Sequence, residues 1–300
     1  MSLARKIVLG LVVAVALLAL LFLVNLWRYG AWHLLFPSHH HDTTPPPIAA
    51  DFGEGAEARV LVFSKTNSFR HKDGIPGARA LFDEIAARRG WALLHSENGA
   101  LFDDTHLKRF DVIVFSNASG DILSDAQEEA FRRWLEAGGG WVGIHSAGDG
   151  SHAEWQWYQE NLIGGLFTAH IMGPQTQAAR VIVEDRGHPA TQGLPAEFVH
   201  EEEWYSWDAS ARTKGFEVLL RVDESSYDPT QRFAGRENDL RMGDHPIAWW
   251  RCIGRGRVLY SAMGHWAASY ETPAHARLLE NAVAWTAGLT GDDCREPRRR

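Results

Sequence analysis

The sequence predicts an α/β domain built on a doubly wound, mostly parallel sheet and preceded by one transmembrane helix. Three observations carry that reading: short continuous apolar runs, helix-periodic segments set between them, and a charge-free stretch near the N-terminus. Strands buried on both faces read as unbroken apolar runs, and strands that alternate with helices imply parallel crossovers. Beyond the first 50 or so of the 300 residues, about 250 remain, which suits one large domain.

The N-terminal element comes first. Ile7 to Val24 is eighteen residues without a charge. As a helix rising about 1.5 Å per residue it spans about 27 Å, close to the hydrocarbon thickness of about 30 Å. Arg5 and Lys6 precede it, and Trp27, Arg28, Tyr29 and Trp32 follow as an interfacial belt. The resulting division is a cytoplasmic n-region at 1–6, a signal anchor at 7–27, a linker at 28–57, the globular domain at 58–288 and a tail at 289–300. A cleaved signal peptide is the rival reading; its apolar stretch is usually shorter and ends at a small-x-small site, and no convincing one precedes Trp27. Either way, the domain is expected outside the cytoplasm, periplasmic or extracellular, single-pass if anchored. The linker carries His39, His40, His41, three prolines at 45–47 and little apolar content, and its histidine run is assigned no function.

The domain elements follow in order. Arg59 to Lys65 is a β-branched run, and Pro76 to Arg89 is a helix with Ala80, Leu81, Ile85 and Ala86 on one face, stopped by Gly90. Trp91 to His95, Asp111 to Asn117 and Trp141 to Ser146 are the next strands. Between the last two lies a helix from Ser124 to Ala137, with Gln127 three residues after its cap and three glycines at its end. Strands are expected near 179–184, 216–222, 246–250 and 257–262, partly antiparallel, before a final helix from Pro273 to Ala287.

Charge and cysteine content exclude whole classes. Beyond residue 50 there are 27 Lys+Arg against 37 Asp+Glu, a surface that repels phosphate backbones, so no nucleic acid partner is expected. Cys252 and Cys294 are the only cysteines, too few for a Cys-rich zinc site or an iron–sulfur cluster; whether they pair is open.

Ligands of open α/β sheets bind beyond the carboxyl ends of the strands. At those ends stand Asn67, Arg70 and His71 after the first strand, Asp121 after the third, His145 at the end of the fourth and His265 after a late one. An imidazole offers proton transfer near neutral pH or a metal ligand. Ser146 beside His145 is a weaker nucleophile candidate, because no oxyanion-hole motif accompanies it. His170 is a candidate from the Trp-rich insertion, and Glu203, before Trp204 and Tyr205, is the candidate inward carboxylate of three consecutive glutamates. His188 and His245 both precede proline and read as turn residues. Trp155, Trp157, Trp204, Trp207 and Trp266 are candidates for stacking on a sugar ring, with core packing as the alternative.

FSKTNSFRH at 63–71, SNASGDILSDAQEEAFRRWLEAGGGWVGIHSAGD at 116–149, HPAT at 188–191, EEWY at 202–205, DESSY at 223–227, DHPIAWW at 244–250 and GHW at 264–266 together resemble the trehalose-utilisation (ThuA-like) family, over roughly 58–288. The resemblance implies a class I glutamine amidotransferase-like, flavodoxin-like fold and a disaccharide, glycoside or keto-sugar as substrate. Where those amidotransferases carry their cysteine in a G-x-C-x-G turn, this chain has Gly143-Ile144-His145-Ser146-Ala147, so amidotransfer through a thioester is not expected. The expectation is a sugar-processing hydrolase, lyase or isomerase with His145, Glu203 and Asp121 as catalytic residues. His71, Asn67, Arg70, His170, Trp157, Tyr205 and His265 would bind substrate. The histidines would instead complete a divalent metal shell if a metal is held, and spacing alone leaves that open. Expected partners are a small-molecule sugar and, through the first helix, the membrane. A tethered, non-catalytic carbohydrate-binding or interaction module is the alternative.

Overall fold

The computed structural model describes residues 2–291 and residue 294; Met1 and most of the expected tail, with Arg298, Arg299 and Arg300, lie outside the described residues. The first helix, α1 (Leu3–Arg28), buries none of its residues and reaches a mean hydropathy of 3.3 over its apolar window. A short helix, α2 (Trp32–Leu35), follows. The segment after it runs along the domain, where Ile48 and Phe52 pack against the core.

The parallel half of the sheet matches the apolar runs. It comprises β1 (Arg59–Phe63), β2 (Ala92–Ser96), β3 (Val112–Ser116) and β4 (Gly140–Ile144), with α3 (Gly74–Arg89) and α4 (Asp125–Glu136) as crossovers. β3 and β4 are buried throughout, as strands covered on both faces must be. In α4, Gln127 accepts from the Ser124 N–H at 2.9 Å, and Ala130, Phe131 and Leu135 form the buried stripe. In α3 the buried residues are Ala78, Phe82, Ile85 and Ala86, whereas Ala80 is exposed and Leu81 only half-buried. The helix starts at Gly74, and the large Phe82 ring sets which face turns inward.

The remaining elements are the short turn α5 (Gln156–Tyr158), strands β5 (Phe167–His170), β6 (Gln177–Val183), β7 (Glu197–Glu202), β8 (Tyr205–Trp207), β9 (Glu217–Val222), β10 (Thr230–Phe233), β11 (Arg236–Asp239), β12 (Pro246–Ile253) and β13 (Gly256–Ser261), then α6 (Ala267–Glu271) and α7 (Pro273–Thr286). The main sheet has nine strands in the order β2-β1-β3-β4-β13-β12-β9-β6-β7. β13 lies parallel to β4, and from β13 onward every pairing is antiparallel. Alternation of direction therefore makes β7 run the same way as β1, β4 and β13. Cys252 and Cys294 are disulfide-bonded, which settles the pairing that sequence left open.

β7 stands four strands from β13, about 19 Å on a flat sheet at about 4.8 Å per strand. Yet Glu202, its last residue, accepts a hydrogen bond from the Gly264 N–H just past β13, at 2.6 Å. The antiparallel extension therefore curls back over the carboxyl ends of the parallel strands, in keeping with the twist of large sheets.

Candidate functional site

Four side chains that follow strands of one common direction meet at that edge. One donor atom from each of His71, His145, Glu203 and His265 lies within 4.8 Å of the other three. The ring centroids of His71 and His145 are 4.6 Å apart, His71 and His265 5.0 Å, and His145 and His265 5.3 Å.

His145 opens the turn after β4 with φ at 50°, a left-handed conformation uncommon outside glycine. Such strain at a strand-to-helix turn lifts a side chain out of the sheet. The turn is held by Tyr260, whose hydroxyl donates to the His145 carbonyl at 2.7 Å. The imidazole Nδ1 lies 2.7 Å from the Ala262 carbonyl, so its proton sits there and the Nε2 lone pair faces the cluster. Nε2 in turn lies 3.0 Å from the Tyr205 hydroxyl, 3.3 Å from His265 Nδ1 and 3.4 Å from Glu203 Oε2.

Glu203 is 3% exposed, and both its oxygens are used. Oε2 lies 3.2 Å from His265 Nδ1; Oε1 accepts from Gln175 at 2.7 Å and lies 3.2 Å from His170 Nδ1. Burial would raise its pKa, but the adjoining imidazoles of His145 and His265 and the charges of His265 and His170 hold it well below the usual carboxylate range. His265 is raised, because Glu203 outweighs the opposing effect of burial. His71 is held well below its ordinary value by burial and by its two histidine neighbours, and its buried Nδ1 has no hydrogen-bond partner.

A family model for trehalose utilisation (ThuA) matches residues 59–286. The chain belongs to the ThuA family. A ThuA-like protein from Bacteroides uniformis is 29% identical with a TM-score of 0.66, over 81% of this chain and 95% of that one. A ThuA-like protein from Parabacteroides merdae (15% identity, TM-score 0.55, 80% and 93% covered) and a cytoplasmic protein from Salmonella typhimurium (10%, 0.52, 76% and 99%) share the fold. No curated protein matches the chain.

Beside the cluster, a cavity of about 440 Å³ is lined by Leu34, Phe69, Asp149, Phe167, His170 and Tyr205, together with His71 and Glu203. His71, His145 and His265, expected from their places at strand ends, thus come together with His170, expected from the Trp-rich insertion, and with Glu203 and Tyr205, expected from the EEWY segment. Asp121 does not join them. Its carboxylate is taken by His39 at 2.8 Å and His41 at 2.7 Å, which gives the histidines of the expected linker a structural partner. Asn67 donates to the Asp121 and His40 carbonyls, and Arg70 pairs with Glu97 at 2.6 Å, so both are occupied as loop fasteners beside the cleft. Trp157 packs tilted beside Trp155 and edge-on to Phe131 and is not among the residues that line the cavity. Trp155, Trp204 and Trp207 are buried core residues, while Trp266 lines a neighbouring cavity. Ser146 is fully buried, with only Asn117 at 3.4 Å, and no histidine activates it. His188 caps a turn through the Ala190 N–H, and His245 binds the Tyr205 carbonyl at 2.7 Å.

Sequence reasoning missed two residues of this candidate site. Glu202, with no exposed surface, accepts from the Gly264, His265 and Glu203 N–H groups and from the Ser269 hydroxyl, and so fixes the loop that carries His265. Burial opposes its ionisation, but the hydrogen bond from His200 and the nearby imidazoles drive its pKa far down. Asp149 lines the cavity, and burial pushes its carboxyl up to about 6.

Proposed function

We propose that this chain is a membrane-anchored enzyme that holds a divalent metal on His71, His145, Glu203 and His265 and acts on a disaccharide, glycoside or keto-sugar. The observation that carries the reading is the triangle formed by His145 Nε2, His265 Nδ1 and Glu203 Oε2, with edges of 3.2–3.4 Å. Zinc–ligand bonds of about 2.0–2.1 Å give tetrahedral edges of about 3.3–3.4 Å, so the triangle has the dimensions of one face of such a shell. His71 lies within reach as a further ligand, and its buried Nδ1 has no hydrogen-bond partner among the described residues. A bound metal would polarise a carbonyl or hydroxyl oxygen and acidify water.

The chain's own groups complete the chemistry. Asp149, with its pKa near 6, gains or loses a proton close to neutrality beside the cavity. The Tyr205 hydroxyl, held well above its usual pKa by burial and by Glu203, stays protonated and donates. His170 and Gln175 hold the Glu203 oxygen that faces away from the triangle. Phe69 and Phe167 present apolar surface suited to the C–H face of a sugar. α1 is read as an uncleaved signal anchor, with the domain outside the cytoplasm; the Cys252–Cys294 bond supports an oxidising compartment.

The test is elemental analysis of the purified full chain after divalent metals are supplied, alongside turnover of a glycoside and keto-sugar panel. The expected result is about one metal per chain, lost with turnover in His145→Ala while the far-ultraviolet spectrum is kept. A wild-type chain that takes up no metal sinks the proposal. Sugar binding without turnover identifies the tethered binding module instead.

A further inference from the structure

α1 ends where the cleft begins. Arg28 is its last residue, and two residues later the Gly30 carbonyl accepts from the Arg70 N–H at 2.9 Å. Gly30 sits so close that a Cβ there would fall 1.9 Å from the Arg70 carbonyl oxygen, and its φ of 79° also favours glycine. Arg70 adjoins His71 in the chain. With about 3.8 Å per residue step, the end of the helix and the backbone of His71 lie within about 16 Å of each other. Lys72 reinforces the join, donating to the Trp27 carbonyl with its ammonium 3.9 Å from the Trp27 ring centre.

The segment after the helix also forms part of the cavity walls. Leu34 lines the cavity that holds His71, Glu203 and Tyr205. Arg28 and Tyr29 line a second cavity of about 660 Å³ on the other side of His71, together with His265 and Trp266. Exposed apolar residues crowd the same side: Trp27, Tyr29, Leu34, Leu35 and Phe36 are each at least 45% exposed. Around the cleft Leu166 adjoins Phe167, and Phe233 tips the β10–β11 hairpin that is bonded to Met172. Large apolar groups left in water on one side, beside a membrane helix, are accounted for by a lipid interface.

We propose that the cleft opens at the bilayer surface and takes its sugar as the headgroup of a membrane amphiphile, the apolar part of which stays in the lipid beside Trp27, Tyr29 and Leu34. This rests on the sugar reading above for the headgroup, but its geometry is independent of any metal. Confinement to one surface raises the effective concentration of a lipid-borne headgroup over that of a free sugar.

The test uses the full chain in phosphatidylcholine vesicles. Because the described cysteines are both in the disulfide, a single added thiol takes a bimane label cleanly. Thr176→Cys, in the second cavity, is compared with Arg255→Cys, in the β12–β13 turn at the opposite end of the strands. With headgroup-spin-labelled lipid, strong quenching at 176 and little at 255 is expected; equal quenching, or none at 176, overturns the proposal. Lactosylceramide in the vesicles should shift the 176 emission saturably, at about a tenfold lower disaccharide concentration than free lactose. Equal potency, or no response to either, also overturns it. Metal content is measured on the same vesicles. Metal-free protein quenched at 176 and responsive to the glycolipid removes the metal reading and upholds this one. Metal-loaded protein without the 176/255 difference does the reverse.

Discussion

Glu202 shows how a buried charge organises a site it does not enter. Its two oxygens hold the N–H groups of Gly264, His265 and Glu203, so the spacing of the cluster depends on a residue outside it. Glu202→Gln turns one acceptor oxygen into a donor among three N–H groups and takes the carboxylate away from His200 Nε2, at a cost of about 1–3 kcal/mol. A calorimetric melt of the variant should show a clear drop in Tm and, after metal is supplied, a lowered metal content; a wild-type melt would contradict this role. Among single residues, His71, His145 and His265 were legible because each follows an apolar run that has no other use for an imidazole. Glu202 was not, since three adjacent glutamates look like a solvated face until strand alternation assigns one of them inward. Asp121 misled because its real partners, His39 and His41, lie about 80 residues away in a segment of linker composition, on an arithmetic that backbone pattern cannot supply.

At the scale of elements, the site depends on turns more than on strands. The loop from β13 to α6 passes under Tyr270 at Gly264, with φ at 131°, where a Cβ would come 2.6 Å from the Tyr270 hydroxyl and 2.7 Å from Ile144 Cγ2. Gly264→Ala must displace that loop and His265 with it. It is expected to cost about 1–3 kcal/mol, read in a denaturant titration, and to weaken metal retention in dialysis; unchanged retention would free the loop of this role. The parallel strands and α4 were legible from continuous apolar runs and a capping box. β7 was not, because its alternation is inverted: His200 and Glu202 point inward while Val199 is 69% exposed. A hydrophobic-inward rule discards such a strand.

In the whole molecule, composition announces the parallel half and also β6, β9 and β12 of the antiparallel extension, and it hides the last strand, β7. β7 carries His200 and Glu202 inward, so the burial signal that marks β1, β3 and β4 is missing there, whereas β9 and β12 keep it. The Cys252–Cys294 bond ties the chain after α7 to β12 across 42 residues. Loop-closure entropy gives such a bond about 4 kcal/mol at most, so replacing both cysteines by alanine should lower stability by roughly 2–4 kcal/mol and make the melt insensitive to reductant. A double variant that melts like wild type would show that the bond adds nothing to the fold. β7 carries one further consequence. As the last strand of the sheet it has no strand on its outer side among the described residues, where only the Glu201 carbonyl is taken, by the Trp266 indole, and such an edge invites a neighbouring copy to add its own strand. Exposed Glu197 and Glu201 set like charges along that border, so two approaching copies repel before their edges can zip. The strand that delivers the acidic groups of the cleft thereby also guards the protein against aggregation.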